Sequence, residues 1–384
     1  MAVALPFQAV AVQPFDFAQG RLRRELRKIG SGEFGGELNE VNELLNRMAA
    51  FAARSAAFSK FVALLEQVDG HRPNLLRVLT YHRVDYLGAR PALYPGLISA
   101  TPEAFDQQMK YLADNYRVSP VRELLDFYRG GSALPPRSVL LTFDDACGDF
   151  AQHAWPILKR YRLPVTLFVP TAFPDHPERM FWWDRLYQAV SRTTRRDDLR
   201  TPLGRLPLAM ASQRLRTFRR LKDYVKTLPH REAIALVEQV CAALGAPEPE
   251  PSVLSWEALR QLAREGVTLG AHSRTHPLMN RISPEEARAE AVGSLRDLER
   301  EIGSAPPIFA YPSGGFSDEV VRVLEREGFA LAFTTGRGIN DLRTADRLRL
   351  RRINVGRRAT LPVIRAQLLP WSMVLNRWRP IAST

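Results

Sequence analysis

The chain has 384 residues, of which 45% are hydrophobic and 25% are charged, and these proportions exclude a wholly disordered protein. Its two cysteines, Cys147 and Cys241, are too few for a disulfide framework or a cysteine-rich metal site. Lysine and arginine exceed the acidic residues by 13, which predicts an anionic partner without identifying it. No apolar run reaches the ~18 residues of a membrane-spanning helix.

Residues 1–70 are predicted to form an extension before the main domain. Between residues 40 and 66, apolar residues recur at helical spacing and predict an amphipathic helix. This helix either packs on the main domain or contacts a membrane face or a partner. The apolar first residues lack the basic segment of a signal peptide, so we expect a cytoplasmic protein.

Short apolar runs alternate with helical segments between residues 71 and 360, a pattern typical of parallel strand–helix units. The predicted strands cover residues 77–82, 138–145, 165–171, 267–273, 307–312, 330–335 and 349–355. The predicted helices cover residues 101–116, 151–161, 254–266, 283–302 and 318–328. This order indicates an α/β barrel or a doubly wound sheet. Residues from about 180 to 252 are predicted to be a mostly helical insertion after the third strand.

Positive charge is concentrated near the end of the chain. From Arg343 to Thr384 there are ten arginines and one acidic residue, Asp346, and residues 361–384 are predicted to be a basic tail. The tail is either an ordinary solvated surface or a patch for acidic polysaccharide, lipid phosphate or membrane headgroups, which would make the protein peripheral at a membrane. No nucleic-acid partner is expected, because no binding motif accompanies the charge.

The first candidate for chemistry is the pair Asp144 and Asp145, which directly follows the predicted strand SVLLTF. In strand–helix barrels, the carboxyl ends of the strands face the active site. Successive residues point in opposite directions, so two adjacent carboxylates suit a division in which one binds a metal and one acts as a base. A turn or a cap of the next helix is the alternative role.

The second candidate is the pair His272 and His276, which follows the predicted strand VTLGA. Two histidines four residues apart can lie on one face of a helical turn and bind one ion. The chain has only seven histidines, and surface or capping roles are the alternative for these two.

One aspartate and two histidines together leave a coordination position open for water, which is typical of catalytic rather than structural zinc sites. These ligand types also accept cobalt, nickel or iron, and zinc is the default expectation. The sequence therefore predicts a divalent metal centre.

These motifs resemble those of the polysaccharide deacetylase family, the NodB-homology or carbohydrate esterase 4 group. The TFDD of residues 142–145 is similar to the first motif of the family, HSRTH of 272–276 to the second, and Tyr311-Pro312 to part of the third. YHRV at 81–84 and FWWDRL at 181–186 look like segments of deacetylases from bacterial exopolysaccharide loci. The resemblance covers about residues 75–180 and 253–357.

The resemblance implies a distorted (β/α)7 barrel in which Asp145, His272 and His276 bind the metal and Asp144 is the catalytic base. It implies hydrolysis of an acetyl group, first of all an N-acetyl group, on a polysaccharide or a lipid-linked sugar. A backbone N–H in the loop of residues 311–315 would help to hold the oxyanion. Tyr311 and Pro312 are accordingly expected at the substrate.

Two departures from the family pattern affect the expected chemistry. Ala146 replaces the glycine that usually follows the aspartates, and no histidine follows His276 to supply the acid of the last motif. Arg352 in the last predicted strand cannot donate a proton near neutral pH, so it is expected to orient Asp144 or to hold an anionic substrate group. Because the first and last strands of a barrel are neighbours, we expect His82 to be the acid, with a structural histidine at the rim as the alternative.

Trp183, which follows Trp182 at the start of the insertion, is expected to pack as part of a core or lid or to stack on a sugar ring. The missing terminal histidine also leaves a second function open. In that alternative, the barrel binds glycan or metal without turnover.

Overall fold

The computed structural model describes residues 72–176 and 178–370. The strands of this region are, in chain order, β1 (Leu75–Tyr81), β2 (Arg83–Val84), β3 (Ile98–Ala100), β4 (Arg117–Val118), β5 (Ser138–Phe143), β6 (Thr166–Val169), β7 (Leu199–Thr201), β8 (Gly204–Leu206), β9 (Thr268–Ala271), β10 (Ile308–Ala310), β11 (Leu331–Arg337), β12 (Asn340–Asp341) and β13 (Leu350–Asn354). The helices are α1 (Pro102–Asn115), α2 (Val121–Tyr128), α3 (Trp155–Arg160), α4 (Trp182–Arg192), α5 (Ala211–Val225), α6 (His230–Leu244), α7 (Trp256–Arg264), α8 (Pro284–Ile302), α9 (Asp318–Arg326) and α10 (Leu361–Gln367).

Seven parallel strands of the described region form a closed barrel. Their order around the barrel is β1, β13, β11, β10, β9, β6 and β5. The barrel closes through five residue pairs between β1 and β5, from Arg77 opposite Val139 to Tyr81 opposite Phe143. A register shift between β11 and β13 makes the barrel irregular. The distorted (β/α)7 fold predicted from the sequence is therefore confirmed.

Alternation along the strands separates two apolar cores. On β1, Leu79 and Tyr81 belong to the core that packs against the helices, whereas Val78 belongs to the core inside the barrel. The same alternation on β5 puts Leu141 outside and Leu140 inside. Residues that follow the strands continue this alternation, so it decides which side chains reach the centre of the barrel.

Local capping sequences fix where several barrel helices begin. The Thr101 hydroxyl accepts a hydrogen bond from the N–H of Ala104, and proline follows at the first helical position of α1. Ser283 and Glu286 form a reciprocal capping box at the start of α8. Both starts agree with the sequence prediction.

The segment between β6 and β9 forms a small subdomain of its own. It contains α4, the antiparallel hairpin of β7 and β8, α5 and α6. Buried residues from each of these elements make a separate apolar cluster, which includes Leu186, Leu206, Leu221 and Val237. The hairpin was not part of the predicted, mostly helical insertion.

Two further features differ from the sequence-based predictions. Helix α2 was not predicted. The predicted basic tail begins instead with α10, and Ile364 in this helix and Leu368 directly after it belong to the outer core of the barrel. The predicted N-terminal helix of residues 40–66 and the rest of the tail lie outside the described residues. Among the described helices, none has the length and hydropathy needed to cross a membrane.

Candidate active site

The candidate site lies at the carboxyl ends of the barrel strands, where side chains from distant parts of the chain meet. His82 follows β1, Asp144 follows β5, and His272 follows β9. His82 and Asp144 each lie four positions from an inward-facing residue of their own strand, and His272 lies an odd number of positions from Leu269 and Ala271 of the outer core, so all three side chains point toward the barrel axis. Arg352 of β13 lies two residues from Leu350, whose side chain faces the barrel interior.

Unusual backbone conformations turn the other ligands toward the same point. Asp145 has a φ of 71° and His276 a φ of 60°, both in the left-handed region. This region costs a non-glycine residue about 1–2 kcal/mol. Ala146 also has a positive φ, 48°, a conformation that glycine adopts without steric cost. Strain of this kind is typical of functional sites.

Asp145, His272 and His276 form a compact group of three buried ligands. Oδ1 of Asp145 lies 3.4 Å from Nε2 of His272 and 3.3 Å from Nε2 of His276. One ligand atom from each residue falls within 4.8 Å of the others. The structure thus brings together the three residues expected to bind a metal.

The chemistry of these three groups fits a divalent cation. Oδ1 of Asp145 is buried and has no hydrogen-bond partner among the described residues, although two imidazole nitrogens are close. Burial alone would raise the pKa of Asp145, but the two neighbouring histidines hold that pKa well below its usual range. An ionised carboxylate facing two nitrogen atoms is a suitable donor set for zinc and similar ions.

Hydrogen bonding fixes the orientation of one histidine and packing fixes the other. Nδ1 of His272 donates to the carbonyl oxygen of Ala310 at 2.8 Å, which leaves the Nε2 lone pair free for a cation. The ring of His276 makes edge contacts with both Phe181 and Trp183, with centroid distances of 5.3 and 4.9 Å. Burial lowers the pKa of His276, so this imidazole is held in the neutral form that binds metals.

Asp144 is separated from these ligands and paired with Arg352. The guanidinium Nη1 and Nη2 of Arg352 donate to Oδ1 and Oδ2 of Asp144, each at 2.8 Å. Nε of Arg352 donates to the carbonyl oxygen of Thr334 at 2.8 Å. Burial would raise the pKa of Asp144, but the charge and the hydrogen bonds of Arg352 lower it below its usual range.

The pairing decides between the two roles expected for Arg352. Its side chain is fully buried and its three nitrogens are engaged with protein acceptors. With its guanidinium buried in these contacts, Arg352 is placed to orient Asp144, and the structure gives no support to the alternative contact with an anionic substrate group.

His82 lines the same cavity as Asp144 and Asp145. It is only partly buried, and its backbone N–H donates to the Ser99 hydroxyl at 3.0 Å. Strands β1 and β13 are neighbours in the barrel. His82, directly after β1, therefore lies close to the place where the sequence comparison expected a histidine from the last strand. Its role as an acid stays a prediction.

The loop after β10 differs from the expectation for Tyr311 and Pro312. The Tyr311 ring packs outside the barrel beside Phe309 and Phe316, and its hydroxyl donates to Leu348. Neither Tyr311 nor Pro312 is among the residues that line the cavity, so the structure gives no support to their expected contact with substrate, which stays a prediction. The physical reason is strand alternation, which turns Tyr311 to the same outer face as Phe309.

Within this loop, Ser313 lines the cavity instead. The N–H groups of Tyr311, Gly314 and Gly315 donate to backbone carbonyls, and Pro312 has no N–H. Among the described residues, no backbone acceptor is assigned to the N–H of Ser313. Gly314 is required here, since a Cβ on it would meet the Thr335 hydroxyl at 1.9 Å.

The cavity has a volume of about 240 Å³, and the insertion supplies one of its walls. Trp182 and Trp183 of α4 line it, and the Trp183 ring is stacked on Phe181 with centroids 4.5 Å apart. Two residues missed by sequence reasoning, Lys222 in the last turn of α5 and Lys226 directly after that helix, also line it. Their spacing of four residues on one helix face was the only available signal.

Comparison with known proteins agrees with the geometry. A family model described as polysaccharide deacetylase matches residues 131–332, more than half of the chain. The Bacillus subtilis protein YxkH, which bears the name of a polysaccharide deacetylase, is 19% identical over 272 residues, covering 71% of this chain and 68% of that protein. A poly-beta-1,6-N-acetyl-D-glucosamine N-deacetylase of Staphylococcus aureus is 34% identical over 74 residues, which cover 19% of this chain and 25% of that protein.

Solved structures share the fold. The Streptococcus pyogenes deacetylase PplD, determined in complex with acetate, superposes with a TM-score of 0.52 at 20% identity and covers 78% of this chain and 100% of that one. A de-N-acetylase from Aggregatibacter actinomycetemcomitans gives a TM-score of 0.51 at 18% identity, covering 76% and 99%. The chain therefore belongs to the polysaccharide deacetylase family and is a hydrolase of carbohydrate amide bonds.

Proposed function

We propose that this protein is a metal-dependent deacetylase that removes the N-acetyl group of an amino sugar in a polysaccharide or a lipid-linked sugar. The observation that carries the proposal is the division between the two aspartates. Asp145 faces His272 and His276, whereas Asp144 is held apart by Arg352. This arrangement provides one carboxylate for a cation and a second, ionised carboxylate beside it.

Asp145, His272 and His276 would hold the cation, with zinc as the first expectation. A bound divalent metal supplies Lewis acidity toward the acetyl carbonyl oxygen and lowers the pKa of a water molecule. These three protein ligands leave a coordination position for water or substrate.

Asp144 would act as the general base. Its pKa lies below the usual range, so it is ionised near neutral pH and able to accept a proton from the attacking water. The two parallel hydrogen bonds from Arg352 fix both carboxylate oxygens of Asp144 and so limit the direction from which this carboxylate can accept a proton.

The remaining steps use Ser313 and His82, which line the cavity. The Ser313 N–H would donate a hydrogen bond to the oxyanion that develops on the acetyl carbonyl. His82, when protonated, would give its proton to the leaving nitrogen, so that acetate and a free amine are released. No histidine follows His276 in the chain, so His82 would supply the proton that a histidine of the last motif would otherwise donate.

The names of the relatives favour an N-acetylated amino sugar as substrate, since one of them is a poly-beta-1,6-N-acetyl-D-glucosamine N-deacetylase. Contact with a membrane surface through basic segments and a cytoplasmic location both stay predictions.

Acetate release tests the proposal directly. Zinc-loaded protein is incubated with N-acetylchito-oligomers and with poly-β-1,6-N-acetylglucosamine, and acetate and bound metal are both quantified. We expect acetate release that stops on chelation and returns with zinc, and that falls by about 10²- to 10⁴-fold in Asp144→Asn at unchanged metal content. Bound metal without acetate from any substrate would instead favour a barrel that binds without turnover.

A further inference from the structure

Two lysines from the insertion face the same cavity as the catalytic aspartates. Lys222 lies in the last turn of α5, and Lys226 directly follows this helix with helical backbone angles, so the two lysines lie four residues apart on one side of the helix end. Both are partly buried. Like charges at this spacing repel each other, and the negative C-terminal end of the helix offsets that repulsion.

Apart from this helix end, the protein offers these ammonium groups little compensation. Lys222 lies 3.6 Å from the exposed carboxylate of Asp223 and 5.6 Å from the ring centroid of Tyr94. For Lys226, the described residues supply no carboxylate within ion-pair distance. Burial, followed by the charge of Lys222, lowers the pKa of Lys226.

The acidic residues of the site do not need these lysines as counterions. Asp144 is already neutralised by a bidentate contact with Arg352. Asp145 faces two histidines, and a divalent cation there would more than offset its charge. The wall formed by α5 thus adds positive charge to a cavity whose carboxylates are otherwise balanced.

We propose that Lys222 and Lys226 bind an anionic group, a carboxylate or a phosphate, that the substrate carries next to its acetamido sugar. This inference rests on the proposed function and narrows its substrate class to acidic acetylated sugars. Lysine ammonium groups suit either anion, because they act as compact charges with several rotatable donors. The cavity volume of about 240 Å³ leaves room for a sugar unit between the lysines and the metal ligands.

Paired substrates and paired variants test the proposal. Steady-state kcat/KM is measured on neutral N-acetylchitotetraose and on a tetrasaccharide of alternating N-acetylglucosamine and glucuronate. A phosphate arm compares N-acetylglucosamine with N-acetylglucosamine 1-phosphate. The variant is Lys222→Gln/Lys226→Gln, and the matched control is Arg219→Gln/Arg220→Gln, which removes the same charge from exposed positions of the same helix.

We expect the wild type to prefer at least one anionic substrate over its neutral partner, and added salt to reduce the preference. In the lysine variant, kcat/KM on that substrate should fall on the order of 10²- to 10⁴-fold, as for two lost hydrogen bonds to charged groups. Turnover of the neutral substrate and both activities of the arginine control should change little. An effect on the glucuronate tetrasaccharide identifies the bound group as a carboxylate, and an effect on the sugar phosphate identifies it as a phosphate.

Equal kcat/KM on neutral and anionic substrates in the wild type would overturn the proposal, as would an equal loss on both substrates in the lysine variant. Absence of turnover on every substrate would refute the deacetylase function. In that case, calorimetric titration of the zinc-loaded wild type and variants with the same sugars still decides the inference. Tighter binding of the anionic sugar that is lost only in the lysine variant supports it, and equal affinities overturn it.

Discussion

Arg352 meets Asp144 through two parallel hydrogen bonds of 2.8 Å inside the barrel, although the two residues are 208 positions apart in the chain. The contact joins β13 to the end of β5 across the intervening strand β1. Such a bidentate pair fixes the carboxylate plane as well as its charge. The orientation and the ionisation of the proposed base therefore both depend on one arginine.

Replacing Arg352 should move the acidic limb of the activity profile. Without the guanidinium, burial raises the pKa of Asp144, so the base is protonated at a pH where the wild type is ionised. For Arg352→Met, we expect the acidic limb of the pH profile of kcat/KM to shift to higher pH, with Arg352→Lys intermediate. An unchanged acidic limb in an Arg352→Met protein that still binds metal would contradict this role.

His82 should be needed only when the leaving group requires a proton. We expect His82→Gln to lower acetate release from an N-acetyl sugar by about 10²- to 10⁴-fold. Hydrolysis of 4-nitrophenyl acetate, whose leaving group departs as an anion, should change by less than about tenfold, whereas Asp144→Asn should lose both activities. Equal losses on both substrates in His82→Gln would contradict the role of acid.

A buried ion pair attaches the insertion to the barrel. Nη2 of Arg83 lies 2.6 Å from Oδ2 of Asp184 on α4, and both side chains are buried. Asp184→Asn leaves the Arg83 charge without its counterion, so we expect the free energy of unfolding to fall by about 3–5 kcal/mol. The control is Asp197→Asn, which breaks an exposed pair with Arg195 and should cost less than about 1 kcal/mol. Similar losses in the two variants, measured by chemical denaturation, would show that the buried pair does not hold this interface.

Asp149 should make stability fall with rising pH. Burial raises its pKa from 3.8 to about 6, so the folded chain holds a proton that the unfolded chain has already released. The contribution of this group to stability therefore decreases between about pH 4 and 6 and is constant above that range. Asparagine cannot titrate, so Asp149→Asn lacks this pH dependence. Between pH 4 and 7.5, the free energy of unfolding of Asp149→Asn minus that of the wild type should therefore rise by about 2–3 kcal/mol. A difference that does not vary with pH would contradict this pKa.

Much of the barrel could be predicted because each strand and most helices have strong local signals. The seven barrel strands are short apolar runs, and Thr101 and Ser283 start helices by ordinary capping. The proposed metal ligands Asp145, His272 and His276 come from two segments that follow strands, and the two histidines are four residues apart. The β7–β8 hairpin escaped prediction, since its two strands have three residues each and lack a long alternating pattern.

The remaining parts of the site depend on packing that the sequence does not display. Motif resemblance alone placed Tyr311 at the substrate, yet alternation along β10 turns its ring to the outer core. Arg352 had two open roles until its depth inside the barrel was known. Lys222 and Lys226 reach the cavity only because the insertion docks beside it, and that docking joins residues about 100 positions apart.

The central claim is that Asp145, His272 and His276 bind one divalent metal beside Asp144. Anomalous diffraction from crystals of the zinc-loaded protein, recorded on both sides of the zinc absorption edge, tests it most directly. The account predicts one strong peak within coordination distance of all three side chains, with Asp144 outside that distance and still paired with Arg352. A peak bound by other residues, or no peak in protein that binds zinc in solution, would contradict it.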